Sequence, residues 1–328
     1  MDKLKGTDDM RDCQWIAHLL ASGLLKSSFV PERGQRKLRD LTRHRAQLHG
    51  EHTRCANRIH KVLQDANIKL SSVATDILGK SGRDMLDALV AGQDDPAAMA
   101  ELARGKLRKK IPELKRALQG HVMDHHQFML EQLLDHLALL EEQVSRFNDR
   151  IAEALRPFLD EETFDRLDTV PGVNRVTIEN VVAEIGADMN QFPSADHLAS
   201  WAGLCPGNEE SAGKRKRRST TKGNVWLRRA LSESAWAGGL GWGSFQGHIL
   251  HGAIPPVGRP PRKKRAIVAV AHSLLVVFYH LLKHEHLEYQ ELGGNYFDTL
   301  DPIRLQRHLV KRLESLGYEV TLAERKAA

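Results

Sequence analysis

The stretch Leu130-Glu131-Gln132-Leu133-Leu134-Asp135-His136-Leu137-Ala138-Leu139-Leu140-Glu141-Glu142-Gln143-Val144-Ser145-Arg146-Phe147-Asn148-Asp149-Arg150-Ile151 carries the clearest periodicity in the chain. Leu130, Leu133, Leu137, Leu140, Val144, Phe147 and Ile151 follow in alternating steps of three and four, which holds one apolar seam on one side of a helix. A helix from near His121 to Phe158 would reach on the order of 50–60 Å at ~1.5 Å per residue. A weaker repeat from Lys106 to Leu118, with Pro112 at its first turn, predicts a second helix folded against it as a hairpin arm. The seam needs a partner. Periodicity leaves two, that hairpin or a second copy of the chain, the latter giving a homo-oligomer through the coiled coil.

Helical patterns continue on both sides. Asp9 to Leu25 places Ile16, Leu19, Leu20 and Leu24 on one face, and Glu32 to Leu63 is a strongly basic helix with Arg33, Arg36, Lys37, Arg39, Arg43, Arg45, Arg54, Arg58 and Lys61. Residues 71–95 read as a polar connection with small helices. Beyond residue 160, Leu167-Asp168-Thr169-Val170-Pro171-Gly172-Val173-Asn174 joins two helical patterns, Glu161 to Leu167 and Val176 to Ile185, in the outline of a helix-hairpin-helix. Such a turn is either an ordinary connection or, through Gly172 and the following helix start, a phosphate-binding turn. Further helices are expected at Phe192 to Trp201, Val225 to Ala237, Arg262 to His284 and Pro302 to Leu316. The fold class is mainly α.

Composition agrees. The 328 residues leave room for two domains, and an aromatic content of 5% disfavours an all-β sandwich or barrel. Cys13, Cys55 and Cys205 form no CxxC pair, which fits a reducing compartment without a disulfide scaffold. Residues 1–9 hold no apolar run of the secretory type. Ala266 to Leu282 is apolar for 17 residues, but His272, Ser273 and His280 interrupt it; it reads as a buried core helix, with no membrane association. A cytoplasmic, nucleoid-associated protein is expected.

Charge is concentrated. The chain carries a formal +6, and the window from Gly207 to Ala230 nets the same value by itself, with Lys214, Arg215, Lys216, Arg217, Arg218, Lys222, Arg228 and Arg229 against Glu209 and Glu210. A positive field of that density points to a polyanion, most often nucleic acid. Within it, Ser211-Ala212-Gly213 precedes five consecutive cations, Lys214 to Arg218, in a segment too polar and Gly-rich for a helix and expected as an exposed loop or hairpin. Cations beside a hydroxyl would stabilise the charge that develops when it attacks a phosphodiester. Two readings stand: Ser211 as nucleophile, with Ser219, Thr220 and Thr221 as alternatives, or a solvated basic loop that only grips phosphates.

Asp9-Met10-Arg11-Asp12 puts two carboxylates one helical turn apart, able to approach one divalent cation or simply to complement a helix N-terminus. Asp124-His125-His126 and Asp135-His136 mimic ligand spacing, but Asp124 and Asp135 stand roughly 16 Å apart along one helix. Polar packing is the better reading there. Four of five tryptophans, Trp201, Trp226, Trp236 and Trp242, flank the basic loop. They either stack on unpaired nucleotides or fill a small helical core, and Trp201 and Trp236 are expected in the core.

Several segments together are similar to one family. Thr169-Val170-Pro171-Gly172-Val173, Phe192-Pro193-Ser194, Trp201-Ala202-Gly203-Leu204-Cys205-Pro206-Gly207, Ser211-Ala212-Gly213-Lys214 and Thr221-Lys222-Gly223-Asn224-Val225-Trp226-Leu227-Arg228-Arg229 resemble the C-terminal domain of the DEDD-type bacterial insertion-sequence transposases of the one-hundred-and-ten class. Upstream, Asp9 to Ala17, Phe29-Val30-Pro31, Leu38-Arg39-Asp40-Leu41-Thr42-Arg43 and Asn57-Arg58-Ile59-His60-Lys61 continue the likeness.

The resemblance implies a DNA transposase or recombinase with a two-part site. A RuvC-like domain would supply acidic residues for Mg²⁺ or Mn²⁺, here Asp9 and Asp12, and Ser211 would form a covalent DNA intermediate. The bases Lys214, Arg215, Lys216, Arg217, Arg218, Lys222, Arg228 and Arg229, with Gly172, would contact nucleic acid; a structured guide RNA, element ends and target DNA are the implied partners. The family's first two acids lie on strands before the Asp-x-x-Asp helix, and the eight residues ahead of Asp9 do not match them, so an incomplete acidic site is expected. On this reading residues 1–70 are a RuvC-like remnant with the basic helix, 71–160 a linker and coiled-coil arm, 161–290 the transposase domain with the serine loop, and 291–328 a C-terminal helix and tail. The alternative is a decayed transposase that binds nucleic acid without catalysis.

Overall fold

The computed structural model describes residues 6–24, 29–205, 210–211, 214–215, 220–240, 260–291, 293 and 302–322. In chain order the helices are α1 (Gly6–Ala21), α2 (Arg33–Asp65), α3 (Lys80–Val90), α4 (Pro96–Glu101), α5 (Ile111–Ala117), α6 (Asp124–Leu155), α7 (Glu161–Asp168), α8 (Arg175–Ile185), α9 (Ala195–Trp201), α10 (Val225–Leu240), α11 (Pro260–Lys283) and α12 (Pro302–Glu314). A two-residue ladder, β1 (Glu210–Ser211) with β2 (Lys214–Arg215), lies between α9 and α10. The protein is mainly α.

The seam of α6 finds its partner inside the chain. Leu130, Leu137, Leu140 and Ile151 are buried, and α6 packs along α2. The Cys55 thiol donates to the Leu133 carbonyl (3.3 Å), His52 meets Glu141 (3.2 Å), and Arg45 donates to Asn148 Oδ1 (3.1 Å), so the two helices run antiparallel. This corrects the expected hairpin of residues 106–118 with 121–158. Residues Gly105–Lys110 form only a 3₁₀ turn and α5 is short, so neither covers the length of α6. The reason lies in α2: its buried row Gln35, Leu38, Thr42, Arg45, Leu48, Cys55, Ile59, Val62 and Leu63 mixes polar with apolar residues and does not read as a seam.

Two apolar cores result, and both α2 and α6 pass through each. The linker core gathers Ile59, Val62 and Leu63 of α2, Met85, Leu86 and Leu89 of α3, Leu114 of α5, and Leu130, Leu137 and Leu140 of α6. The second core joins Leu38 of α2 and Ile151 of α6 to Ile178, Val181 and Val182 of α8, Leu198 of α9, Leu227 and Leu231 of α10, and Val270, Leu274, Leu275 and Phe278 of α11. The segment Lys264–Lys283 is long and apolar enough to cross a membrane. Its buried residues, however, are those of this second core, as the core-helix reading expected.

Both helices flanking the α7–α8 turn are capped at their N-termini. The Asp160 carboxylate accepts from the Thr163 amide (2.7 Å), which pulls its pKa below the usual carboxylate range, and Asn174 Oδ1 accepts from the Thr177 amide (2.9 Å). Gly172 takes φ +79°, and a Cβ there would lie 2.5 Å from the Ser234 carbonyl oxygen and 2.6 Å from the Gly238 amide nitrogen. The glycine therefore lets the turn press against the backbone of α10.

Candidate nucleic-acid interface and serine hairpin

The backbone of Ser211 pairs with Lys214 and that of Glu210 with Arg215, so the basic loop begins as the expected hairpin. Lys216, Arg217, Arg218 and Ser219 lie outside the described residues, as does the side chain of Asp9. Asp12 is exposed on α1, Lys222 and Arg229 are exposed, and Arg228 is half-buried, donating to Thr220 Oγ1 (3.2 Å).

The hairpin is closed at its neck by backbone contact. A Cβ on Gly203 would lie 2.7 Å from the Gly223 amide nitrogen, and one on Gly223 would overlap the backbone of Ala202 and Gly203. Only glycines permit this approach. The next residue does two jobs. Asn224 Oδ1 accepts from the Trp226 amide (3.0 Å) and the Leu227 amide (3.1 Å), capping α10, while its side-chain amide donates to Glu184 Oε2 (2.6 Å).

Glu184, at the end of α8, is 1% exposed and is the hub of this junction. Arg43 of α2 donates to both its carboxylate oxygens, at 2.7 and 2.9 Å. Arg39 donates to the Ala183 carbonyl (3.0 Å) and to the Glu184 carbonyl. The hydrogen bond to Glu184 raises the Arg43 pKa, whereas burial lowers that of Arg39 against the pull of Glu184. A second buried pair, Arg45 with Glu179, is completed by Asn148, Asn180 and Arg175. Buried ions of this kind persist only when paired. Three arginines of α2 thus hold α8, and through Asn224 the exit of the serine hairpin.

Beside the hub, a cavity of about 310 Å³ opens between α2, α8 and α10, walled by Arg43, His49, Asn180, Trp226 and Arg229. Burial pushes the His49 pKa down, with Arg45, His52 and Arg229 acting in the same sense.

Two family models match the segments that meet here. One, described as Transposase IS116/IS110/IS902 family, covers residues 164–239, from α7 into α10; the other, a DEDD-type IS110 transposase model, covers residues 3–68, spanning α1 and α2. Both segments are thus similar to IS110-type transposases. It is also similar to the pilin gene-inverting proteins of Moraxella bovis and Moraxella lacunata, 32% identical to each over 120 residues. That alignment covers 36% of this chain and 36% of each relative, so the chain matches about a third of their length.

The histidine run serves packing. His126, 2% exposed, accepts the Met123 amide at Nδ1 (3.1 Å), so its proton sits on Nε2 and is donated to Asp65 Oδ2 (2.9 Å). Asp65, His125 and His126 bring their ligand atoms within 4.8 Å of one another. Both His126 nitrogens are nonetheless engaged, which ties the start of α6 to the end of α2 and leaves no lone pair for a metal. Trp201 packs against both Phe29 and Phe192 (5.8 and 5.7 Å) as expected, but Trp236 is 50% exposed and corrects its core assignment. Its neighbour Ala235 is the residue that faces the core.

Sequence reasoning missed Glu184, Asn224 and Arg43 as a unit. The signal available was a lone glutamate inside the apolar run Val181-Val182-Ala183-Glu184-Ile185.

Proposed function

We propose that this chain acts in DNA transposition or recombination, with Ser211 as nucleophile on a DNA phosphodiester. In that step a Ser–O–P bond forms, one P–O bond of the strand breaks, and the displaced sugar oxygen takes up a proton. Lys214 to Arg218, Lys222, Arg228 and Arg229 grip phosphates and offset the charge that accumulates at phosphorus; Gly172 and the start of α8 supply a further phosphate contact. Asp9 and Asp12 are hard oxygen donors one turn apart on α1, a set that suits Mg²⁺ or Mn²⁺, which keep several waters and add substrate phosphate oxygens. The metal would supply Lewis-acid stabilisation of a phosphodiester oxygen. A structured guide RNA, element ends and target DNA are the proposed partners, met in the cytoplasm at the nucleoid.

The observation that carries this reading is the neck at Gly203 and Gly223, because Asn224 ties the exit of a serine-bearing basic segment to the Glu184 carboxylate that Arg43 of α2 also grips. The test is covalent capture on a nicked DNA substrate with Mg²⁺. Wild-type protein is expected to give a protein–DNA adduct that Ser211→Ala abolishes with affinity unchanged. Adduct formation that survives Ser211→Ala removes this serine as nucleophile, and tight binding with no adduct from either protein leaves only phosphate gripping.

A further inference from the structure

A second basic surface lies on the linker core, outside both family-matched segments. Residues 104–116 hold seven bases, Arg104, Lys106, Arg108, Lys109, Lys110, Lys115 and Arg116, against Glu113 alone. Their net +6 equals that of the serine window, so the two segments together carry twice the whole-chain excess and the remainder is acidic. Solvated faces ordinarily mix signs. This one does not.

The surface is built on a firm base. Ala103 and Leu114 are buried in the linker core, and Leu107 packs against it, so the 3₁₀ turn Gly105–Lys110 is held at both ends and in the middle. Arg104 is spent on Asp84 (2.8 Å) and Lys115 on Glu101 (3.8 Å). Among the described residues no ion pair engages Lys80, Lys106, Arg108, Lys109 or Lys110, all exposed. Lys80, Lys106 and Lys110 edge one hollow of about 310 Å³, where Asp76 is the single carboxylate and accepts from the Leu78 amide (2.9 Å). Lys110 is steered there by its bond to the Val73 carbonyl (3.2 Å).

We propose that this turn and its hollow bind the phosphodiester backbone of a nucleic acid, as a docking surface separate from the serine hairpin. From Lys106 to Lys110 the turn advances about 8 Å at ~2.0 Å per residue. Phosphates of one duplex strand recur every ~3.4 Å of axis, so about two lie within its reach. DNA and RNA present the same backbone, and contacts of this kind fix position without reading sequence. The inference shares with the proposed function only the requirement that the protein bind nucleic acid.

The test uses the full chain, a 20-base-pair duplex DNA and an RNA stem-loop, with affinity measured across salt concentrations. The combined variant Lys106→Gln, Arg108→Gln, Lys109→Gln, Lys110→Gln is expected to bind at least one polymer roughly tenfold or more weakly near 0.1 M salt, with the log–log salt slope on duplex shallower by about 2. Loss on DNA only, on RNA only or on both names the source. A second variant, Lys106→Arg, Lys109→Arg, Lys110→Arg, keeps the charge and should bind as wild type, with equal helicity by circular dichroism in all three. Glutamine and wild-type proteins that match on both polymers overturn the proposal, as does an arginine variant as weak as the glutamine one. In either case a Ser211-dependent adduct would leave the proposed function standing, whereas a wild type that binds neither polymer ends both.

Discussion

The Asn224 amide donates to the buried Glu184 carboxylate at 2.6 Å while its carbonyl oxygen caps α10, so one side chain joins the end of α8 to the exit of the serine hairpin. Asn224→Ala is expected to cost about 1 kcal/mol as a lost cap. It should reduce covalent capture of DNA far more than that loss explains. Thermal unfolding and adduct yield measured side by side check this; equal adduct yield from both proteins would show that the tether does not position the hairpin.

Glu184→Gln removes the charge that Arg39 and Arg43 face. Arg43 keeps part of its surface in water, which softens the effect, and a destabilisation of about 2–3 kcal/mol is expected by chemical denaturation. Adding Arg43→Gln should cost less than it does alone, because the two groups share one interaction.

Gly172→Ala combines a positive φ with a Cβ 2.5 Å from the Ser234 carbonyl oxygen and should cost about 2 kcal/mol or more. Gly105 also has a positive φ, +56°, but open space around it. Gly105→Ala should therefore cost only about 1 kcal/mol. Similar losses at both positions would rule out the close contact with α10 as the cause.

Leu137 is buried between α6 and the linker core, and Leu137→Ala should cost about 2–5 kcal/mol. Since α2 covers this seam, sedimentation should give the same mass for variant and wild type. The exposed Leu139 serves as control, with Leu139→Ala within about 0.5 kcal/mol.

His49 has its pKa lowered, chiefly by burial, with Arg45, His52 and Arg229 nearby and Glu233 opposing them. The unfolded chain takes up a proton near the ordinary histidine value of 6.5, which the folded chain resists. Stability present above that pH is therefore lost as pH falls from about 6.5 toward the lower folded value. His49→Gln should flatten this part of the stability–pH curve, read by denaturant midpoints between pH 7.5 and 5.

Helix existence was legible from periodicity: the basic helix expected at Glu32 to Leu63 is Arg33–Asp65, and the seam helix is Asp124–Leu155. Pairing was not. The partner of α6 hides its contact face behind Thr42, Arg45 and Gln35, polar residues whose burial depends on partners in other helices. The same holds for Glu179 and Glu184, which look like solvent-facing positions until the arginines of α2 reach them. Trp236 errs the other way, since residue type alone does not say which side of α10 meets α11. In the hairpin region Gly223 and Asn224 entered only through the family likeness, because their roles, a close backbone contact and a cap, depend on residues distant in sequence.

Because α2 runs unbroken from Arg39 and Arg43 at Glu184 to Ile59 and Val62 in the linker core, neither half of the molecule can pivot without bending that rod. The stretch from Arg39 to Val62 is about six turns of one continuous helix, so the Glu184 junction and the linker core are parts of a single stiff element.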